Sequence, residues 1–279
     1  MTAKIPAACV LGFPARHSRS PKLHGYWLKR YGIAGSYCIE EVTPAAFPEF
    51  LSTLASRGYV GANVTIPHKE AAFQLSDPDQ RAQAVGAANT LWLEGGVLKS
   101  TNTDVEGFIG ALDAAAPNWD RHHDGVIVLG AGGAGRAVVY GLLERGIPRV
   151  HVVNRSFEKA VALKERFGDA ILPAHWDQLP SLLKGAHLLV NSTSLGMAGQ
   201  PPLEVDLEDM SVTAVVADIV YVPLKTPLLR AAQARGLATS NGLEMLLYQA
   251  VTGFEHWFGK RPDVTRELYD LLAADIAKD

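Results

Sequence analysis

Three glycines constrain this chain more tightly than any other feature. The run Gly130, Ala131, Gly132, Gly133, Ala134, Gly135 follows the apolar stretch Val126, Ile127, Val128, Leu129 and precedes a helical pattern over about residues 134–143 that stops at Gly146. The apolar stretch is rich in β-branched residues and reads as a strand buried on both faces. Gly130, Gly132 and Gly135 fall at G-x-G-x-x-G spacing. The first permits a tight turn, the second lets a pyrophosphate approach the backbone, and the third lets the helix pack closely on the strand. The helix N-terminus then presents free amides to the anion. A second apolar strand over residues 149–153 ends in Asn154, Arg155 and Ser156, about twenty residues beyond the turn, where this fold reads the ribose. The acid that would accept a hydrogen bond from a free 2′-hydroxyl is missing there. Arg155 offers a planar fork for phosphate, Ser156 a hydroxyl, Lys159 a second cation one helical turn on, and Asn154 a contact for adenosine. That set favours NADP over NAD; the competing reading is a helix cap at Ser156 with solvated basic neighbours.

Length and composition bound the rest. At 279 residues the chain has room for two cored domains, and 48% hydrophobic with 20% charged residues is ordinary globular composition. A formal net charge of -3 gives no reason to expect a nucleic-acid surface. The basic pieces around residues 16–22 and 159–166 read as local anion contacts or solvated faces. Cys9 and Cys38, both in apolar strand-like contexts, are expected to be buried reduced thiols. Residues 1–10 carry no leader pattern and no apolar run reaches membrane-spanning length, so a cytoplasmic protein without a membrane partner is expected. His122 and His123, in a polar loop over residues 117–124, have no carboxylate or cysteine at ligand spacing, and no metal is expected.

Ahead of the glycine turn, strand alternates with helix, which implies a separate parallel sheet. Strands are expected over residues 7–11, 36–42 and 59–66, with a helix over 44–56. Ser20 followed by Pro21 reads as a helix cap with proline at the first helical position, and Ser18 as a spare hydroxyl. Taken alone the plain cap is preferred, although two hydroxyls at a helix start can also hold a carboxylate. The sequence NVTIPHKE carries Thr65 and puts Lys69 at the opening of a helix, beyond the strand ends where ligands collect in an open α/β sheet. An ammonium is disfavoured at a helix N-terminus, a setting that suits proton transfer, while pairing with Glu70 is the alternative. His68 is expected to pack against the turn. A hairpin around Gly95 and Gly96 leads to Thr103, Asp104 and Glu106, where Asp104 serves as a first-turn acid or as a partner of Lys69. Beyond the turn, strands over residues 170–173, 187–190, 215–220 and 237–240 continue the dinucleotide unit. The cluster Asn191 to Ser194 ends one of them, where a nicotinamide or ribose could lie. A tail helix with Leu243, Leu246, Leu247 and Val251 on one stripe is expected to pack back on the first domain, with Gln249 a surface residue or a substrate hydrogen-bonder.

Together HSRSP, NVTIPHKE, AANT, TNTD, GAGGAG, NRS, NSTS and NGLEMLLYQA resemble the shikimate dehydrogenase family, in the right order and over essentially the whole chain. The resemblance implies two open parallel-sheet α/β domains with a cleft between them: residues 1–104 plus 240–279 as a substrate-binding catalytic domain, and 105–239 as a Rossmann NADP-binding domain. It implies an oxidoreductase acting on a CH–OH group, the reversible NADPH-dependent reduction of 3-dehydroshikimate to shikimate in aromatic amino acid biosynthesis. Ser18 and Ser20 then bind the substrate carboxylate, in place of the plain cap. Thr65, Lys69, Asn89, Asp104 and Gln249 become contacts for the ring hydroxyls and carbonyl, with Lys69 and Asp104 the catalytic pair and Tyr221 a further substrate contact. Asn154, Arg155 and Ser156 become the 2′-phosphate site, beside Lys159. The glycine turn, Gly130 to Gly135, with Thr193, Ile219, Gly242 and Met245, completes the expected NADP(H) contacts. The chain departs from the family's usual Asp and two glycines at Asn241, Gly242 and Glu244, which puts a charge near the cofactor end of the tail helix. The rivals are a quinate/shikimate dehydrogenase using NAD and a catalytically inactive nucleotide-sensing regulator. A monomer or homodimer is expected.

Overall fold

A computed structural model describes residues 5–121 and 124–278; His122 and His123 and residues 1–4, on which the metal and leader expectations partly rest, lie outside the described residues. By its contacts the chain divides into two compact units, Met1–Thr103 with Gln249–Leu272, and Asp104–Tyr248 with Ala273–Asp279.

In the first unit β1 (Ala7–Gly12), α1 (Ser20–Tyr31), β2 (Ser36–Glu41), α2 (Phe47–Ser52) and β3 (Tyr59–Val64) alternate, and β1 pairs in parallel with β2 on one side and β3 on the other. Next come α3 (Lys69–Gln74), β4 (Asp77–Pro78), α4 (Gln80–Val85), β5 (Thr90–Glu94) and β6 (Val97–Thr101), in a sheet of order β2-β1-β3-β5-β6-β4. The sheet is parallel-rich rather than wholly parallel, because β5 runs antiparallel to both β3 and β6. Gly95 and Gly96, at φ 57° and 83°, make a two-residue turn, and a turn that short can only reverse the chain. As a result β5 begins at the edge where β1, β3 and β6 end. The helix α4 was not legible in the pattern; Asp79 caps it by accepting from the Ala82 amide at 2.8 Å.

One face of this sheet buries Leu11, Phe47, Phe50, Leu54, Val64 and Leu91. Cys9 lies in that layer, but its register partner Cys38 is exposed, which corrects the expectation of two buried thiols: β2 is an edge strand. Elsewhere in the unit His24 is fully buried, stacked 4.1 Å from the Tyr37 ring and 5.9 Å from that of Phe254. Neither of its ring nitrogens meets a hydrogen-bond partner among the described residues. Burial therefore pushes the imidazole down to about 3, against an opposing pull from Asn63.

The second unit runs α5 (Asp104–Ala115), β7 (Val126–Leu129), α6 (Gly133–Glu144), β8 (Val150–Val153), α7 (Phe157–Phe167), β9 (Ile171–Ala174), α8 (Leu179–Leu182), β10 (Leu188–Asn191), β11 (Val215–Asp218), α9 (Pro227–Ala234) and β12 (Ala238–Asn241). All six strands are parallel, in the order β12-β11-β10-β7-β8-β9, which is the doubly wound Rossmann arrangement with β7 as its first strand. Successive side chains of β7 enter opposite cores. Val126 and Val128 join Phe108, Leu112 and Leu142, whereas Ile127 and Leu129 join Leu179, Leu189 and Leu228. The strand β12 stays in register with β11 as far as Asn241, and residues 240–248 belong to the second compact unit, with Asp104 and residues 273–279. The tail helix α10 (Gly242–Phe258) thus contributes to both units, and α11 (Arg266–Ile276) follows it. No helix among the described residues is long and apolar enough to cross a membrane.

His24 has a stability consequence with a definite sign. Its folded-state pKa lies near 3 against 6.5 when exposed, so the neutral ring favours the fold fully above pH 6.5 and loses that advantage as pH falls toward 3. The loss approaches about 1.4 kcal/mol per pH unit. Urea titrations of wild type and His24→Phe between pH 4 and 7 are expected to show a steeper acid decline in wild type; parallel declines would contradict the assignment.

Candidate active site

In the first unit the ends of β1, β3 and β6 and the start of β5 share one edge, and the backbone there is stitched across. The Thr65 amide donates to Leu11 at 2.8 Å, Phe13 to Ile66 at 3.0 Å, and Val64 to Asn89 at 2.8 Å. Gly12 allows this: a Cβ there would stand 2.5 Å from Thr65 Cγ2. Asn89, only 2% exposed, is the centre of a hydrogen-bond network at this edge. Its Oδ1 accepts from the Thr103 amide at 2.7 Å and hydroxyl at 3.1 Å, and its Nδ2 donates to Gln249 Oε1 at 3.1 Å. Next door, the Ala88 amide donates to the Lys69 carbonyl at 2.9 Å. One two-residue segment therefore holds the start of α3, the residue before Asp104, and Gln249. Asp104 itself is 5% exposed, as the first residue of α5. Sequence reasoning passed over Asn63, whose Nδ2 donates to Asn89 O and Thr90 Oγ1 and whose Oδ1 accepts from the Tyr37 hydroxyl at 2.7 Å. The signal was an amide inside an otherwise apolar strand.

The two serines differ from their plain reading. The helix α1 already includes Ser20, with Arg19 at the cap position in helical conformation and without a side-chain bond. Ser18 Oγ accepts from the Ser20 amide at 3.3 Å, so Ser18 is the hydroxyl that serves the helix start, while Ser20 is buried within the first turn. His68 is buried, but against the start of α2 rather than the turn: it stacks 4.3 Å from the Phe47 ring, and its Nε2 lies 2.6 Å from the Val42 carbonyl.

In the second unit the glycines divide the work. Gly130 has φ 103°, and a Cβ on Gly135 would stand 2.5 Å from the Gly130 carbonyl oxygen, so both shape the turn. A Cβ on Gly132 would meet nothing within 4 Å, so that residue keeps open space before the N-terminus of α6. The residues present fit a pyrophosphate there. Asn154 braces the turn: its Oδ1 accepts from the Ala131 amide at 3.1 Å and its Nδ2 donates to the Ser156 carbonyl at 2.8 Å. Ser156 occupies the cap position of α7 but makes no side-chain cap bond, and Arg155, Ser156 and Lys159 are exposed. Asn154, Arg155, Thr193 and Ser194 line one cleft of about 610 Å³ with Trp176, Leu195, Gln200 and Pro201. The polar cluster after β10 thus lies on the Arg155 side.

Where β11 ends, Asp218 is 1% exposed and accepts from Asn191 Nδ2, the Val220 amide and Thr226 Oγ1 at 2.9, 3.0 and 2.7 Å. Burial pushes its carboxyl up, and the three donors pull the other way. This knot holds the turn that carries Ile219 and leads to Tyr221. Gly242 lies against that turn, since a Cβ there would stand 2.0 Å from the Ile219 carbonyl oxygen. Ile219 and Met245 pack partly buried on the sheet core. The unusual Asn241 and Glu244 form a capping box. Asn241 Oδ1 accepts from the Leu243 and Glu244 amides, and Glu244 Oε2 accepts from the Asn241 amide at 3.2 Å. The charge flagged by the sequence is therefore bound into the start of α10.

A Rossmann sheet with this glycine turn, in a chain whose other sheet gathers amide groups on its strand ends beside the start of α3, defines the class: a dinucleotide-dependent α/β oxidoreductase. Three family descriptions match in order, Shikimate dehydrogenase substrate binding domain over residues 10–91, Shikimate / quinate 5-dehydrogenase over 114–201, and Shikimate 5′-dehydrogenase C-terminal domain over 242–266. The chain belongs to the shikimate dehydrogenase family. It is 61% identical over 277 residues to the shikimate dehydrogenase (NADP(+)) of Rhodopseudomonas palustris strain TIE-1, covering 99% of each chain. Among solved structures it resembles Thermus thermophilus shikimate 5-dehydrogenase in complex with NADP(H) and shikimate, at 36% identity and TM-score 0.84, covering 98% of this chain and 100% of that one. It also resembles Corynebacterium glutamicum quinate dehydrogenase in complex with NAD, at 30% identity and TM-score 0.88, covering 96% and 99%.

Removing the Asn89 carboxamide strands the buried Thr103 amide. Asn89→Ala is expected to cost about 2 kcal/mol or more, read as a lower urea midpoint at unchanged slope. A midpoint equal to that of wild type would show that Asn89 is not the brace.

Proposed function

We propose that the protein catalyses the reversible NADPH-dependent reduction of 3-dehydroshikimate to shikimate, with the first unit binding substrate and the second binding NADP(H). The cofactor, when bound, supplies hydride to the ring ketone. Lys69 Nζ donates a proton to the ketone oxygen as negative charge develops on it and takes the proton back from the hydroxyl in the return direction, while Asp104 holds the lysine by charge. Ser18 and Ser20 take the substrate carboxylate, while Thr65, Asn89, Gln249 and Tyr221 take the ring oxygens. Arg155, with Ser156 and Lys159, takes the adenosine 2′-phosphate through its planar fork. Thr193, Ile219, Gly242 and Met245 flank the cofactor. The observation that carries this reading is the double anchorage at Ala88 and Asn89, which grips the backbone of Lys69 and the residue preceding Asp104. A group for proton transfer has to be held still, and the two candidates hang from adjacent residues. The protein works in the cytoplasm as a monomer or homodimer, on a small-molecule substrate, without nucleic acid or membrane.

Two measurements test this. Lys69→Ala is expected to lower kcat for shikimate oxidation by about a hundredfold or more while the NADPH Kd stays within a few-fold; turnover near wild type would remove Lys69 from the mechanism. Gly132 has φ -83°, open to any residue, and no protein neighbour for a side chain. Gly132→Val is therefore expected to melt at the wild-type temperature yet to bind NADPH about tenfold more weakly or worse. Unchanged affinity would mean that the pyrophosphate lies elsewhere.

A further inference from the structure

The cleft beside Arg155 contains a residue that the functional reading has not used. Trp176 is 37% exposed, whereas Trp27, Trp119 and Trp257 are buried. A large aromatic side chain at the rim of a cleft offers a flat apolar face on which a flat partner can stack.

Its position is built rather than incidental. Strands β8 and β9 run parallel with Val153 opposite Ala174, so the loops that follow them emerge side by side. One loop carries Asn154 and Arg155; the other carries His175 and Trp176. Two contacts lock the second loop. The His175 ring stacks 4.0 Å from that of Phe157 at an interplanar angle of 11°, tying it to the first residue of α7. The His175 amide also donates to Gln178 Oε1 at 2.8 Å, closing the short 3-10 turn Trp176–Gln178. Arg155 and Trp176, both carrying a planar π-bearing group, line the same space of about 610 Å³.

The fold says which end of a dinucleotide belongs there. In a Rossmann sheet the loop after the second strand reads the adenosine ribose, and the third strand belongs to the same mononucleotide-binding half. The group next to that ribose is the adenine, flat and apolar on both faces. We propose that Trp176 is an adenine-binding residue, whose indole stacks against the adenine of NADP(H) while Arg155 engages the 2′-phosphate. The proposal rests on the cofactor reading above and assigns the base contact within it.

Adenosine 2′,5′-bisphosphate isolates this end of the cofactor, since it carries the adenine and the 2′-phosphate but no nicotinamide. Titrated into the full-length protein, it is expected to bind and to quench tryptophan fluorescence saturably. Trp176→Phe, which keeps an aromatic face, is expected to bind within a few-fold of wild type without that quench. Trp176→Ala is expected to bind about tenfold more weakly or worse, the scale of base–aromatic stacking, while melting at the wild-type temperature. Equal affinity in wild type and Trp176→Ala, or a quench that survives in Trp176→Phe, overturns the role of Trp176 and leaves the cofactor reading intact. Failure of wild type to bind the bisphosphate by calorimetry overturns the cofactor reading and the proposal with it.

Discussion

An amide buried at the end of a strand must find its partners inside the protein, because an unpaired polar group in a dry interior costs more than the hydrogen bond would return. Asn89 is such a group, and its side-chain partners include two segments that carry candidate functional residues: Thr103 before Asp104, and Gln249 on the tail helix. Its own backbone carbonyl closes the end of β3, next to Thr65. Four separate stretches of chain are therefore positioned by a single side chain and the peptide on either side of it. Asn63 and Tyr37 extend this network outward, so the amide is itself held in orientation.

The second unit repeats the device with other asparagines. Asn154 joins the glycine turn to the loop after β8, and Asn191 joins the turn after β10 to Asp218 at the end of β11. In each case a carboxamide, which both donates and accepts, adds a side-chain bridge between two loops that a parallel sheet brings side by side. The glycines supply the complementary half. Gly130 and Gly135 permit the backbone to approach itself, Gly242 lets α10 begin against the Ile219 carbonyl, and Gly132 leaves a space vacant. Rigid loops around open space are what a site needs in order to be organised before its ligand arrives.

Much of this could be read in advance where the physics is local. The strand over Val126–Leu129, the helix after the glycine turn and the hairpin at Gly95 and Gly96 follow from periodicity and from backbone freedom within a few residues. Other features depended on neighbours remote in sequence. Cys38 reads like Cys9 in its local pattern, yet β2 ends up at the sheet edge, and only the strand order reveals that. Ser20 looks like a cap because serine before proline usually is one, but the conformation of Arg19 starts the helix a residue early. Glu244 read as an intrusive charge, although Asn241 three residues before it is a capping-box signal that could have been recognised.

The sequence alone determined the dinucleotide turn and the alternation of strand and helix on either side of it, because these depend on residue type and short-range spacing. Only the tertiary structure decided that β5 runs against its neighbours, so that Asn89 arrives beside Thr65 and Lys69, and that the loops after β8 and β9 emerge together, so that Trp176 shares a cleft with Arg155. Strand pairing joins residues that are distant along the chain, and the free energy that selects one pairing over another belongs to the whole buried sheet rather than to any single stretch of it.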